Sequence, residues 1–520
     1  MQPMRRRRAL TTAAATTAAL ALWGTALPSA VATDGDPDRA LSRFYHQKIS
    51  WSACKGEDMA KDMECGKVTV PLDYAHPSAG TLDLALARLP ATGKPQGSLL
   101  LNFGGPGQPG LPQLAASQGA FSDLTTSYDV VTFDPRGVGR SSPVSCGENT
   151  DGVGVPVGGS DPRAALRQIR KLAEQCARHS GPVLPHMGTV NVSRDLDVMR
   201  QALGDKKLNY LGFSYGTRLG AVYAAQFPTK VGRMALDGVD TLTESLAEQG
   251  LTAARGQQAA LDDFLDWCVK NSSCPFGHDA HAARKQVVRL VDSLDENPVP
   301  TALGAPFSGQ DLVTGIGQAL FSKNLWPALE QALDQLVKEH DPSGIMRFSG
   351  GGVALPPAAA PGGRLVDPAD VPDDNLPAAL LAVNCADDPD RPSADQLVKD
   401  LDRLRGAYEK ASPVFGPHRL SQVLMCYGRP RGTEFIRTKV KDVHTAKMLL
   451  VGTRGDPATP YRWTQETAKR LGPSAVVLDN RGEGHTGYPA SACVHAKVNA
   501  FLLDGTLPSG GSTCGPERPS

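Results

Sequence analysis

Eight short runs of apolar or β-branched residues punctuate the chain: Lys67 to Leu72, Leu82 to Leu89, Ser98 to Phe103, Tyr128 to Phe133, Leu208 to Phe213, Arg233 to Leu236, Met448 to Val451 and Ala475 to Leu478. Several are apolar at nearly every position, the pattern of parallel strands covered on both faces. Between the later runs the apolar positions fall at helical spacing. Leu196, Met199 and Leu203 lie at i, i+3 and i+7, with Gly204 as a stop; Leu219, Val222 and Tyr223 continue such a pattern until Pro228. Strands alternating with helices predict an α/β fold with a mostly parallel, eight-stranded sheet.

From about residue 241 to residue 440 the strand signal lapses. Helices replace it, among them Pro327 to Lys338, with Leu329, Leu333 and Leu336 on one face, and Ser393 to Lys410. A Pro/Ala/Gly stretch from Pro356 to Pro377 reads as a long loop or joint within this block. The expected organisation is a sheet domain begun by residues 33–240 and completed by 441–520, interrupted by a large, mainly helical cap at 241–440. No internal repeat is visible.

The first residues belong to none of this. Arg5 to Arg8 form a basic head, an Ala/Thr/Leu stretch follows to about Leu27, and Ala30-Val31-Ala32 is a small-residue cleavage site, so residues 1–32 read as a signal peptide. A membrane anchor is the competing reading; Gly24 and Pro28 interrupt a stretch that a spanning helix would need at about 20 strongly apolar residues. The arginine run also leaves a twin-arginine route open beside the general one. The expectation is a secreted, extracellular protein, with no membrane association after signal cleavage.

Over all 520 residues, 54 basic side chains face 54 acidic ones. Loss of residues 1–32 removes four arginines and no acid, leaving 50 against 54 and a net charge of −4. Such a balance gives no concentrated positive surface for nucleic acid or an anionic membrane. A monomer is expected.

Export places the ten cysteines in an oxidising compartment, where an even number is read first as disulfides. Pairing of neighbours, Cys54 with Cys65, Cys146 with Cys176, Cys268 with Cys274, Cys385 with Cys426 and Cys493 with Cys514, closes local loops, although sequence alone does not select it. The only metal-like spacing, His278-x-x-His281, lies in a polar stretch without a third ligand and reads as two surface histidines. No metal or cofactor is expected.

The chemistry gathers at strand ends. The run Leu208 to Phe213 leads straight into Gly212-Phe213-Ser214-Tyr215-Gly216, a G-x-S-x-G placed between a strand and a helix. A turn that sharp leaves no room for flanking side chains, so glycines bracket a serine whose hydroxyl projects freely. Ser214 is the candidate nucleophile. It needs a general base, and the base an orienting acid, downstream in that fold's order of Ser, acid, His. His485, in the glycine-rich loop Arg481 to Gly487 beyond the last strand, is the base; Asp456, in Gly455-Asp456-Pro457 after the preceding strand, is the acid, with Asp237 as the alternative one strand earlier. Asn102-Phe103-Gly104-Gly105-Pro106-Gly107 follows a buried strand where hydrolases carry their oxyanion loop, which assigns the Gly105 and Tyr215 amides to that role. No Lys or Ser/Thr follows at phosphate-loop spacing.

Taken together, Trp51 to Cys54, Val70 to Tyr74, the Gly104 to Gly107 loop, Phe133 to Ser142, Gly212 to Thr217, Leu236-Asp237-Gly238, Asp456 to Pro460 and Gly484-His485 stand in the order found in secreted actinobacterial tripeptidyl aminopeptidases. The chain resembles that family, relatives of prolyl aminopeptidases within the α/β-hydrolases, over nearly its whole length. The resemblance implies an α/β-hydrolase fold and a serine exopeptidase releasing tripeptides, or prolyl-tripeptides, from free N-termini, with Ser214, Asp456 and His485 as triad. One departure is Phe103, where the family often has proline. Asp134 is implied to be structural.

An aminopeptidase must recognise the substrate ammonium. Cys385-Ala386-Asp387-Asp388 resembles a C-x-D motif of the family, so Asp387, with Asp388 second, is the candidate anchor. Because a triad specifies acyl transfer and not the leaving group, an exported esterase or lipase using the same residues is the alternative.

Overall fold

The computed structural model describes residues 37–55, 59–147, 161–301, 304–349, 365–434, 436 and 440–515. The segment read as a signal peptide lies outside them. Each of the eight anticipated runs forms a strand, and two further two-residue strands extend the sheet at its edges. The strands are β1 (Ser52–Ala53), β2 (Glu64–Pro71), β3 (Thr81–Leu89), β4 (Ser98–Asn102), β5 (Asp129–Phe133), β6 (Leu208–Phe213), β7 (Val231–Asp237), β8 (Met448–Gly455), β9 (Ala475–Glu483) and β10 (Thr513–Cys514). Their order is β1-β2-β3-β5-β4-β6-β7-β8-β9-β10. The β1, β2 and β3 pairings are antiparallel; every pairing from β5 through β10 is parallel. The extra edge strands are too short to leave a period in the sequence.

The unbroken apolar runs have a direct cause. In β4, Leu100 faces one core and its neighbours Leu99 and Leu101 the other; Leu450 in β8 likewise separates Leu449 from Val451. Leu219 and Val222 of the helix Tyr215–Gln226 cover the first face, and Val494, Val498 and Phe501 of the helix Ala492–Asp504 cover the second. Both sides of each central strand are therefore dry, and no polar alternation survives.

Between Asp237 and Met448 no sheet strand occurs among the described residues. The helices Leu246–Cys268, Ala280–Glu296, Gly309–Ala319 and Trp326–Glu339 pack a separate core that includes Phe264, Leu312, Trp326, Leu329, Leu333 and Phe415. A capping box, with Ser245 and Glu248 bonded reciprocally, starts the first of them. Of the Pro/Ala/Gly stretch, residues 356–364 lie outside the described residues. Its end is helical rather than irregular: Asn375–Asp387 is a helix, and Pro377 is tolerated in its first turn, where an amide hydrogen has no helical acceptor.

The ten cysteines pair as neighbours: Cys54–Cys65, Cys146–Cys176, Cys268–Cys274, Cys385–Cys426 and Cys493–Cys514. The fourth ties the end of the Asn375–Asp387 helix to the segment after Leu424, and the fifth fastens the first turn of the last helix to β10.

Candidate active site

Ser214 sits at the turn from β6 into the helix Tyr215–Gln226 with φ 54° and ψ −124°, a conformation unfavourable for a residue with a Cβ. The glycines on either side make the turn possible. A Cβ on Gly212 would meet Gly216 O at 2.6 Å, and one on Gly216 would meet Asn102 O at 2.7 Å. Ser214 N donates to Asp237 O at 2.9 Å, and Ser214 O receives the Thr217 amide at 2.9 Å, so backbone bonds fix the elbow on both sides.

His485 arrives from the other side of β7. Its amide donates to Phe321 O at 2.8 Å, tying the histidine loop to the helical block. Nδ1 lies 3.0 Å from each carboxylate oxygen of Asp456. Asp456 is itself held: its Oδ1 accepts the Ala458 and Thr459 amides and its Oδ2 the Thr459 hydroxyl, all at 2.8 Å. Asp237, the alternative acid, does not face the imidazole. Its carboxylate accepts the Gly487 and Tyr488 amides instead.

Phe213 pairs with Asp237 across β6 and β7, so Gly238 stands beside Ser214. A Cβ on Gly238 would lie 3.4 Å from His485 Cε1. The imidazole Cε1 thus lies at the strand end adjoining the serine. No hydrogen bond joins Ser214 Oγ to His485 in this structure, whereas the bond to Asp456 is formed. In hydrolases without substrate the nucleophile–base contact is commonly loose.

Burial alone would lower the His485 pKa, but the charge and hydrogen bond of Asp456, with Asp237 and Asp240 behind, carry it above the ordinary value. Burial has the opposite effect on Asp237, pushing it up to about 6 against the pull of the Gly487 and Tyr488 amides and of His485. Asp134 is also pushed to about 6 by burial; its oxygens accept the Leu111 and Arg140 amides, so it braces two turns.

The loop after β4 reaches over the serine. A Cβ on Gly104, whose φ is +96°, would meet Ser214 Cβ at 2.9 Å and Phe213 O at 2.7 Å. Asn102 Oδ1 accepts the Gly104 amide at 3.1 Å. Among the described residues no acceptor takes the Gly105 or Tyr215 amide hydrogen, and Tyr215 begins a helix, where amide hydrogens point outward. Phe103, the departure from the family pattern, has a structural reason: its ring stacks on Phe213 at 6.1 Å and meets Phe121 edge-on at 6.0 Å, so an aromatic cluster supports the loop from below.

Asp387, the expected anchor, lies in a buried network. Asp387 is 4% exposed, its oxygens accept the Thr189 amide at 2.7 Å and the Thr189 hydroxyl at 2.6 Å, and Arg218 lies 3.6 Å away. Arg218, in the first turn of the helix that follows Ser214, stands between Asp387 and the closer Asp240, at 3.0 Å. Asp388 accepts the Asp390 amide at 2.8 Å and borders one cavity with Asp390 and Arg391 and another with Asp387 and Arg218.

Sequence reasoning missed three groups that the fold brings to the site. Thr459 lies three residues after Asp456, a spacing at which a hydroxyl closes a local turn onto a carboxylate. Phe321 touches His485 both through its carbonyl and through its ring, at 5.1 Å between centroids. Asp263, on the Leu246–Cys268 helix, shares a hydrogen bond with Glu483; burial holds both carboxyls above their ordinary range, helped by Asp266 and Asp262 at Asp263 and by Asp263 at Glu483, with the shared bond pulling Asp263 down and Lys323 opposing at both. Thr459, three residues after Asp456, and Glu483, two before His485, had a local signal; Phe321 and Asp263 had none.

The family described as alpha/beta hydrolase fold matches residues 98–334, and that described as TAP-like protein matches residues 412–514. Serine protease Hip1 of Mycobacterium tuberculosis is 31% identical over 537 residues, covering 96% of each chain. Tripeptidyl aminopeptidase of Streptomyces lividans is 33% identical over 498 residues, covering 92% of this chain and 88% of its own. A protein named carboxylesterase B from Mycobacterium tuberculosis is 33% identical over 486 residues, covering 90% of each.

Proposed function

Because the chain belongs to the TAP-like family of α/β-hydrolase-fold serine peptidases, we propose that it is an exported serine exopeptidase that releases short peptides, tripeptides or prolyl-tripeptides, from free N-termini. The observations that carry the reading are the Asp456–His485 pair, at 3.0 Å to both oxygens, and the strained Ser214 elbow, with His485 Cε1 3.4 Å from where a Cβ on Gly238 would stand, at the strand end next to the serine.

In this reading Ser214 Oγ attacks the scissile carbonyl and passes its proton to His485 Nε2. Asp456 keeps the other ring proton on Nδ1 and stabilises the imidazolium. The electron pair pushed onto the carbonyl oxygen is met by the Gly105 and Tyr215 amides, which need no reorganisation. Collapse expels the leaving amine, which takes the proton from Nε2. Water then repeats the sequence on the acyl-enzyme and frees the peptide.

The ammonium contact we assign to Asp263 and Glu483, in place of Asp387. Burial and neighbouring acids hold both carboxyls above their ordinary range, a condition that an arriving cation relieves. Export is supported by the basic head and cleavage site of residues 1–32 and by the five disulfides. No described helix is long and apolar enough to cross a membrane.

The test compares purified wild type with Ser214→Ala on chromogenic tripeptide amides with free and acetylated N-termini and on short-chain esters. Hydrolysis of the free-amino amides, lost in Ser214→Ala, is the expected result. Turnover of esters alone would replace the peptidase reading with the esterase one, the activity named for the carboxylesterase B relative, and turnover of blocked peptides without the free-amino ones would remove the aminopeptidase reading.

A further inference from the structure

A cavity of about 360 Å³ lies between the helical block and the helix Pro162–Ser180, whose Ile169 and Leu172 line it. It adjoins the candidate catalytic groups at two points. Phe321, which lines it, accepts the His485 amide and packs on the imidazole. Leu380, which also lines it, has its amide 3.0 Å from where a Cβ on Gly107 of the oxyanion loop would stand.

Its wall carries an unusual charge. Arg419 and Arg429 line it together with His418, and no acidic side chain does so among the described residues. Arg429 is 7% exposed; its Nε donates to Met425 O at 3.2 Å, and its nearest other polar contact is Cys176 Sγ at 3.6 Å. Arg419 spends its Nε on Gln257 Oε1 at 2.9 Å. Neither forms a salt bridge among the described residues. Burial lowers both, Arg429 to about 10, and no carboxylate offsets it, yet both stay charged at neutral pH. A guanidinium held away from water without a counter-ion is costly, and its remaining N–H donors match a carboxylate in the plane of the fork.

We propose that this cavity is a specificity subsite for a carboxylate on the acyl portion of the substrate, an Asp or Glu side chain of the released peptide, bound by Arg419 and Arg429. The acyl side follows from topology: the leaving polypeptide must run out to solvent, whereas a short released peptide can be enclosed beneath helices. Val313, Leu380 and Phe415 supply apolar wall for the methylenes, and the two guanidinium groups supply the end. The inference rests on the exopeptidase reading for the identity of the carrier, though not for the anion site itself.

The experiment uses free-amino tripeptide anilides in matched pairs, Glu against Gln at each of the three positions, together with two p-nitrophenyl esters, the monoglutarate and the uncharged pentanoate. In wild type, kcat/KM for Glu should exceed that for Gln at one position by about tenfold or more, as a charge-assisted hydrogen bond allows. The Glu/Gln ratio should fall to about one in Arg419→Met and in Arg429→Met and stay high in Arg429→Lys, with urea midpoints reporting that each variant is folded. Equal rates for Glu and Gln at all three positions, or a ratio unchanged in both arginine variants, would overturn the subsite while leaving peptide hydrolysis in place. Preference for the anionic ester with no turnover of any peptide would keep the subsite and remove the exopeptidase.

Discussion

Both carboxylate oxygens of Asp237 accept the Gly487 amide hydrogen, at 2.9 and 3.0 Å, two residues beyond His485. One of them also accepts the Tyr488 amide at 2.7 Å. The same residue's carbonyl receives Ser214 N, so a single position at the end of β7 fixes both the nucleophile's turn and the base's loop. Asp237→Ala strands two buried amides. Orphaning each costs about 1–3 kcal/mol, so the urea midpoint should fall; kcat should fall by about tenfold or more as the His485 loop loosens. An unchanged kcat in a folded variant would count against Asp237 as the positioning group.

Asp195 and Arg136 are both fully buried and bonded twice, at 2.7 and 2.6 Å. Arg136 also donates to the Leu72 and His186 carbonyls, and Tyr74 donates to Asp195, so the pair joins the end of β2 to the helix Thr189–Ala202. Removing one partner leaves the other charge unpaired. Asp195→Asn should lose about 3–5 kcal/mol in equilibrium unfolding at neutral pH, whereas the double replacement Arg136→Met with Asp195→Leu should recover part of it.

Gly104 is the closest approach of the oxyanion loop to the elbow. With φ at +96° and 2.9 Å from a would-be Cβ to Ser214 Cβ, any side chain must displace one of the two. Gly104→Ala should lower kcat by about a hundredfold or more through the shifted amide donors while KM changes little, measured on one amide and one ester. A selective rise in KM would instead place the loop in substrate binding.

The strands and the elbow were legible because their causes are local. A strand dry on both faces is apolar at every position, and a turn with no room for Cβ atoms shows as glycines around Ser214. Asp456 and His485 were legible because each directly follows a strand. The surroundings of Asp387 were not. The C-x-D pattern at Asp387 marks a carboxylate, but only the fold reveals Arg218 and Thr189 consuming it. Arg419, Arg429 and Asp263 lie on separate helices and turns of the cap, and their meeting points depend on helix packing that no period in the chain encodes.

The pH dependence follows from the same contacts. His485 must be neutral to accept the Ser214 proton, and Asp456 holds its pKa above the ordinary value of about 6.5. In wild type kcat/KM should therefore rise as pH increases through that elevated pKa and be lost below it as the imidazole stays protonated. Asp456→Ala removes both the charge and the hydrogen bond, leaving burial, which acts downward, as the largest influence. Its acid limb should move to lower pH. At the same time kcat should fall by about a thousandfold or more, because nothing then fixes the ring with Nε2 toward the serine. Retention of the wild-type limb in Asp456→Ala would mean that another group, Asp237 first among them, sets the protonation of the base.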